Sequence, residues 1–249
     1  MSKTIQPPRR LLRIAGKDRF GFLQGLVTND VRPGMGLTYA AMLTPQGKYL
    51  FDFFLLEEGD SILVDVAANR ADALAQRLSM YRLRAEVEIA PDDRAVATGP
   101  GAPPEGALAD PRHPGMGWRA YGTGLESVPA DWDALRVEHM IPETGIELVE
   151  NDSYILEMGF ERLNGVDFKK GCYVGQEVTA RMKHKTELKK GLARLALAGP
   201  VSPGTAVERD GREIGRVHTV SGGRALAWLR LDRAGEGMVA GGVAVRLEE

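Results

Sequence analysis

The chain has 249 residues, 43% hydrophobic and 27% charged, with a formal net charge of −2. That length suits one large domain or two smaller ones, and the near-neutral balance gives no global pull toward nucleic acid or an anionic membrane. The single cysteine excludes an internal disulfide framework and a self-contained metal site of the iron–sulfur type, which needs about four protein ligands. No apolar run approaches the ~20 residues of a membrane span. The first ten residues carry Arg9 and Arg10 with no apolar stretch behind them, so no secretory signal is legible; the segment is too short to argue for a mitochondrial presequence, and a cytoplasmic protein is expected.

Residues 11–14 read as a strand. Asp18 is placed to cap a helix with Phe22, Leu23, Leu26 and Val27 on one stripe. Thr28-Asn29-Asp30-Val31 follows, and on residue type alone Asn29 and Asp30 are ordinary turn formers. Residues 39–43 and 49–56 read as strands joined by Thr44-Pro45-Gln46-Gly47, a type I turn with Pro second and Gly fourth. Asp52 lies among Phe51, Phe53 and Phe54. It is either a solvent-facing strand position or a buried carboxylate that needs a partner.

A strand over 61–66 precedes a helix capped by Asn69 and running to Tyr81, with Ala71, Leu74 and Leu78 at helical spacing. Ala85, Val87 and Ile89 alternate with glutamates as a strand with one wet face. Residues 99–117 are rich in Gly and Pro and read as a surface loop, a place for a hinge between subdomains, with His113 solvated in it. A strand restarts at 118–121. Residues 131–139 form a helix whose Glu138 reads as a surface carboxylate or the partner of an Arg. From about Gly191 short apolar runs separated by turns, including the hairpin signal Asp210-Gly211, indicate a small antiparallel β-barrel. Trp228 then points outward if Leu229 is core.

The informative stretch is Phe168-Lys169-Lys170-Gly171-Cys172-Tyr173-Val174-Gly175-Gln176-Glu177, leading into a helix from 176 to about Lys185. A thiol ahead of a helix start, near two lysines, is favoured as thiolate and hence reactive. The competing reading is a small apolar residue in the core. Seven Lys or Arg residues over 169–190, Arg181, Lys183 and Lys185 among them, form a local basic strip.

Lys170-Gly171-Cys172-Tyr173-Val174-Gly175-Gln176-Glu177 resembles the K-G-C-Y-x-G-Q-E signature of the YgfZ family of folate-binding proteins of iron–sulfur cluster assembly or repair. That family is similar in fold to the glycine cleavage T-protein, an aminomethyltransferase. Phe22 to Val31, the Tyr81–Ile89 segment and Leu135-Arg136-Val137-Glu138 resemble further family segments. The resemblance implies an α+β fold: T-protein-like folate-binding domains around a central cavity over residues 1–190, then a β-barrel over 191–249. It implies tetrahydrofolate as cofactor, held by Asn29, Asp52, Glu138, Tyr173, Gln176, Glu177 and Arg181. The functional thiol is Cys172, tuned by Lys170, and the implied partners are iron–sulfur client or assembly proteins acting with a monomer.

The alternative is T-protein-like one-carbon transfer through Asp52. Phe51 stands where the aminomethyltransferases carry a second aspartate, which disfavours that chemistry and leaves classical turnover unsupported. A second alternative, a binding protein in tRNA modification, draws on the basic strip. The strip lacks aromatic interleaving beyond Tyr173, so nucleic acid is disfavoured. No dinucleotide-binding, Walker or nucleophile-elbow pattern occurs, and the four histidines are too dispersed for a zinc site.

Overall fold

A computed structural model describes residues 3–184 and 187–248. The N-terminal part alternates β1 (Arg9–Ala15), α1 (Arg19–Gln24), β2 (Thr38–Leu43), β3 (Tyr49–Glu58), β4 (Ser61–Ala67), α2 (Ala71–Arg82) and β5 (Glu88–Asp92). Next come β6 (Ala95–Gly99), β7 (Leu108–Ala109), β8 (Trp118–Gly122), α3 (Trp132–His139) and α4 (Gln176–His184). The last strands are β9 (Gly191–Leu197), β10 (Ala206–Arg209), β11 (Arg212–Ser221), β12 (Arg224–Leu229), β13 (Val239–Ala240) and β14 (Val243–Glu248). No helix among the described residues is long and apolar enough to cross a membrane.

Strands β1–β5 make an antiparallel sheet in the order β2-β3-β4-β1-β5, and β6-β8-β7 make a second. The last six strands close into a barrel in the order β10-β11-β12-β9-β14-β13. Period-two alternation divides the first sheet. Phe51, Phe53, Ile62, Val64, Leu12 and Ile14 pack with Leu23 of α1 and with Leu74 and Leu78 of α2. The opposite face carries Tyr39, Ala41 and Phe54 into a second core with Trp132, Ile141 and Phe160. The expected barrel is present with Leu229 in its core, and Trp228 packs outside it against the N-terminal part.

Three local expectations need correction. Asp18 precedes α1 without capping it; its carboxylate instead accepts from the Glu86 amide at 2.8 Å, tying α1 to the approach to β5. Asn69 lies in a single 3-10 turn ahead of α2. The segment 99–117 is a surface loop only in part. Residues 101–106 are exposed, yet Asp110, Arg112 and Met116 are among the most buried side chains.

Asp110 and Arg112 belong to a buried ionic seam between the two sheets. Arg9 meets Asp65 at 2.6 Å, and Arg119 reaches Asp65 at 2.9 Å and Asp110 at 3.4 Å. Arg112 grips both oxygens of Asp110 at 3.0 and 2.8 Å. Tyr121 donates to Asp65 at 3.1 Å. The guanidiniums of Arg9, Arg112 and Arg119 lie 5.4, 4.9 and 3.7 Å from the centre of the Phe54 ring. Burial pushes the Asp110 carboxyl up, but Arg112 and Arg119 outweigh it and hold it below the usual range. Such pairs stand in a dry interior only when every member is matched.

Removing one guanidinium while leaving the carboxylates therefore tests the seam. Arg119→Met should cost about 3–5 kcal/mol in urea unfolding, more than an exposed control such as Arg212→Met, which should stay within about 0.5 kcal/mol.

Candidate functional site

The signature segment is laid along the end of α1 and the turn that follows. Thr28 donates its hydroxyl to the Gly165 carbonyl at 2.6 Å, and the amides of Asp167 and Val174 reach the Thr28 and Gly25 carbonyls at 3.0 and 3.2 Å. The strongest tie is Lys170, whose ammonium donates to the carbonyls of Gln24, Val27 and Asn29 at 2.9, 2.5 and 2.7 Å. A helix end leaves carbonyls without intrahelical partners, and an ammonium has three donors to meet them. Lys170 is only 8% exposed, and burial pushes its ammonium down to about 8. Its role is to fasten the segment; the structure shows its charge engaged by backbone, not by the sulfur.

Gly175 then turns the chain into α4 at φ +85°, where a Cβ would stand 2.5 Å from the Thr44 carbonyl oxygen. Gly47, at φ +74°, faces Val178 of α4, and a Cβ there would come within 2.8 Å of it. The expected turn at 44–47 closes with the Gly47 amide on the Thr44 carbonyl at 2.8 Å. The two glycines thus let the β2–β3 hairpin and the start of α4 touch. Between these fixed points Cys172 is exposed and free, and no hydrogen bond among the described residues engages its sulfur. The core alternative for this cysteine is thereby excluded.

Asn29 is engaged by backbone from three segments. Its amide donates to the Tyr39 and Asn164 carbonyls at 2.8 and 2.6 Å, and its oxygen accepts from the Asp30 amide at 2.9 Å. Asp52 is 5% exposed. It accepts from Tyr39 at 3.0 Å, from Tyr49 at 2.7 Å and from the Thr144 hydroxyl. The solvent-facing alternative is wrong because both faces of the first sheet are covered. Burial first, then the Asp52 charge, pushes the Tyr39 and Tyr49 phenols up, so both stay protonated donors.

Glu138 points away from these groups. Its carboxylate meets Arg224 of β12 at 2.6 Å, so it ties α3 to the barrel. Met140 closes α3 in the left-handed conformation, at φ +51°, and Arg162 donates to the His139 and Met140 carbonyls at 2.8 and 2.6 Å. Tyr173 is buried in the second core. Gln176 reaches the Gly171 carbonyl at 3.5 Å, while Glu177 and Arg181 are exposed on α4. In the basic strip, Lys183 pairs with Glu161, and Lys185 lies outside the described residues. The structure thus brings Lys170, Asn29 and, through Tyr39, Asp52 into one connected region, and leaves Glu138 on another surface.

Sequence reasoning missed three groups. Arg136, called only part of a motif, is buried and meets Glu147, and it reaches Thr219 of the barrel at 3.2 Å. His113, read as solvated, stacks on His139 with ring centres 4.2 Å apart, and burial, then His113, pushes the His139 imidazole down. Trp132 is 4% exposed, and its indole N–H has no partner. Trp132 lines a cavity of about 150 Å³ together with Arg112, Arg136, Glu143 and the strap of residues 4–7. That strap is fixed by paired Thr4–Ala130 backbone bonds of 2.9 Å. Among the described residues no group of three or more His, Cys, Asp or Glu is placed to hold a metal.

Comparison with known proteins follows this geometry. Residues 189–249 match the family model described as the CAF17 C-terminal beta-barrel domain. The chain is 32% identical to the mitochondrial iron–sulfur cluster assembly factor IBA57 of Mus musculus, over 89% of this chain and 75% of that protein. It is 31% identical to the Homo sapiens counterpart, over 88% and 75%. In fold it is similar to the glycine cleavage system aminomethyltransferase T of Bartonella henselae, with a TM-score of 0.79 and 16% identity over 97% of this chain and 83% of that one. At that identity the likeness establishes the fold alone. The cytoplasmic expectation is overturned by these relatives, which are named as mitochondrial proteins.

The clamp yields three expected outcomes. Lys170→Met orphans three carbonyls and should lower stability by about 2–4 kcal/mol in urea titration, each unmet buried group costing about 1–3 kcal/mol before relaxation. Lys170→Arg should not restore it, since a planar fork cannot meet three converging carbonyls. The folded ammonium titrates near 8 against 10.5 for a free lysine, so between those values the unfolded chain binds more protons. Wild-type stability should therefore rise with pH across that window relative to Lys170→Met, read from paired melts.

Proposed function

The chain belongs to the IBA57-like family of iron–sulfur cluster assembly factors, and on that premise we propose that it acts on iron–sulfur proteins through Cys172, as a tetrahydrofolate-binding accessory factor. The observation that carries the thiol half is the fastening of its segment. Lys170, Gly175 and the Thr28–Gly165 contact fix the backbone on both sides of Cys172 while the sulfur stays open to a partner. One thiolate supplies one cluster ligand, so a cluster touching Cys172 takes its other ligands from the partner or from small thiols. The partners that fit are the iron–sulfur assembly machinery and its clients.

The folate half meets a test in the side chains. Asn29, Asp52, Glu138 and Tyr173, expected as the cradle, are each held by protein groups and do not converge on one cavity. We place the pterin ring instead in the cavity beneath residues 4–7, lined by Trp132 and Glu143. There the partnerless Trp132 N–H offers a donor, and Glu143 offers a carboxylate whose charge acts on Arg9 and Arg112. A carboxylate can accept from adjacent ring N–H and amino groups as a pair. About 150 Å³ admits a ring and not a whole folate, so the remainder of the ligand lies outside or the strap lifts. Bound there, tetrahydrofolate would supply one-carbon chemistry; the residues of this chain bind and orient it.

The two halves are tested separately. Cys172→Ser should fail to restore iron–sulfur enzyme activity in cells lacking their own factor while melting as the wild type does, and restoration at wild-type level would discard the thiol role. In calorimetry tetrahydrofolate should bind, and Trp132→Phe, which keeps the ring and drops the N–H, should weaken it about 3- to 10-fold, the worth of one buried hydrogen bond. Absence of heat at millimolar ligand would remove the folate half and leave the thiol half standing.

A further inference from the structure

A separate cleft of about 510 Å³ opens between the barrel and the segment 147–158. Its size and its place between two structural units are those of a small-molecule site. Trp228 forms one wall. Because Leu229 points into the barrel, Trp228 stands outside it, half-buried, with its N–H donated to Glu157 at 3.4 Å. The Lys190 ammonium lies 5.3 Å from the centre of the indole. The same barrel wall holds His218, at the register shift between Val217 and Thr219 of β11, the strand paired with that of Trp228. Such a bulge re-aims a side chain and is frequent beside binding sites.

The groups around this cleft are unequally satisfied. Glu147 is committed to Arg136 and Thr219, and Glu213 to Arg216. By contrast, Arg230 has a buried Nε with no partner and reaches Asp232 only at 3.4 Å. Among the described residues Lys190 makes no hydrogen bond or ion pair, its ammonium lying over the indole and acting by charge on Glu157, and His218 makes no hydrogen bond. Spare capacity is therefore mainly cationic and donor, beside an aromatic face covered by one lysine chain. Glu157, held by a single long bond, is the spare acceptor.

We propose that this cleft binds a mononucleotide. The base stacks on Trp228 as the Lys190 chain moves aside, Glu157 accepts from an exocyclic amino group, and Lys190 and Arg230 take the phosphate. The site is independent of the folate cavity, which lies under residues 4–7 against Trp132.

Trp118 and Trp132 are 9% and 4% exposed, so a ligand-dependent change in tryptophan fluorescence reports chiefly Trp228. The full chain is titrated with AMP, GMP, adenosine and inorganic phosphate, with calorimetry in parallel. AMP or GMP should quench saturably, with adenosine and inorganic phosphate each at least about tenfold weaker, because either half alone forfeits stacking or charge. Trp228→Leu should weaken AMP about tenfold or more. Arg230→Gln should bring AMP down toward adenosine and leave adenosine unchanged. Trp228→Phe keeps a stacking face, so it should bind AMP by calorimetry with the quench gone, which separates misfolding from lost recognition. No heat with AMP or GMP at millimolar concentration overturns the proposal. So does unchanged AMP affinity in both Trp228→Leu and Arg230→Gln, or displacement of AMP by tetrahydrofolate.

Discussion

Burying guanidiniums and carboxylates together is the constraint on which the N-terminal half of this molecule rests. Three arginines and their aspartates are removed from water around one phenylalanine ring, contributed by β1, β3, β4, the 99–117 segment and β8. Desolvation of any one charge costs more than its Coulomb attraction returns unless its partner is in place. The two sheets are therefore held in register by paired charges, and the glycine- and proline-rich segment between β6 and β8 is drawn inward at Asp110 and Arg112. Tyr39, Tyr49 and Asp52 extend the same logic toward the hairpin, with neutral hydroxyls taking the place of cations.

A second tie does for the exposed thiol what the seam does for the sheets. The end of α1 is short of hydrogen-bond donors, and the signature segment supplies them through one ammonium. The lysine beside the cysteine thus acts on the backbone that presents it. This separates two ways of making a sulfur useful: altering its acidity, or holding it where a partner can reach it. The geometry shows the second, an exposed sulfur on a fastened segment, in a chain whose relatives are named iron–sulfur cluster assembly factors.

The cavities divide along the same lines. The one beneath residues 4–7 is small, bordered by the engaged Arg112 and Arg136, and holds the Glu143 carboxylate and an orphaned indole N–H. The one beside the barrel is wider and bordered by groups with spare donors. They are separate spaces that share one border, the Arg136–Glu147 ion pair. The barrel joins the rest through Arg136–Thr219 and Glu138–Arg224, which makes α3 the common wall of the first cavity and the joint to the barrel.

The sequence by itself determined the local grammar. Period-two runs and turn residues located most strands, the Thr44–Gly47 turn followed from Pro and Gly placement, and the Asp210-Gly211 hairpin and short apolar runs between turns announced the barrel. The segment Lys170–Glu177 also sufficed to point to iron–sulfur assembly. Tertiary structure decided the partners of every charge. Glu138, Asp52, Lys170 and Arg112 look alike in one dimension, as polar residues that either face water or bind something. Which of these occurs depends on a carboxylate, hydroxyl or carbonyl as much as 146 positions away in the chain. Periodicity reports which face a side chain occupies and not what covers that face, so a paired core arginine reads as a solvated one until the chain has folded.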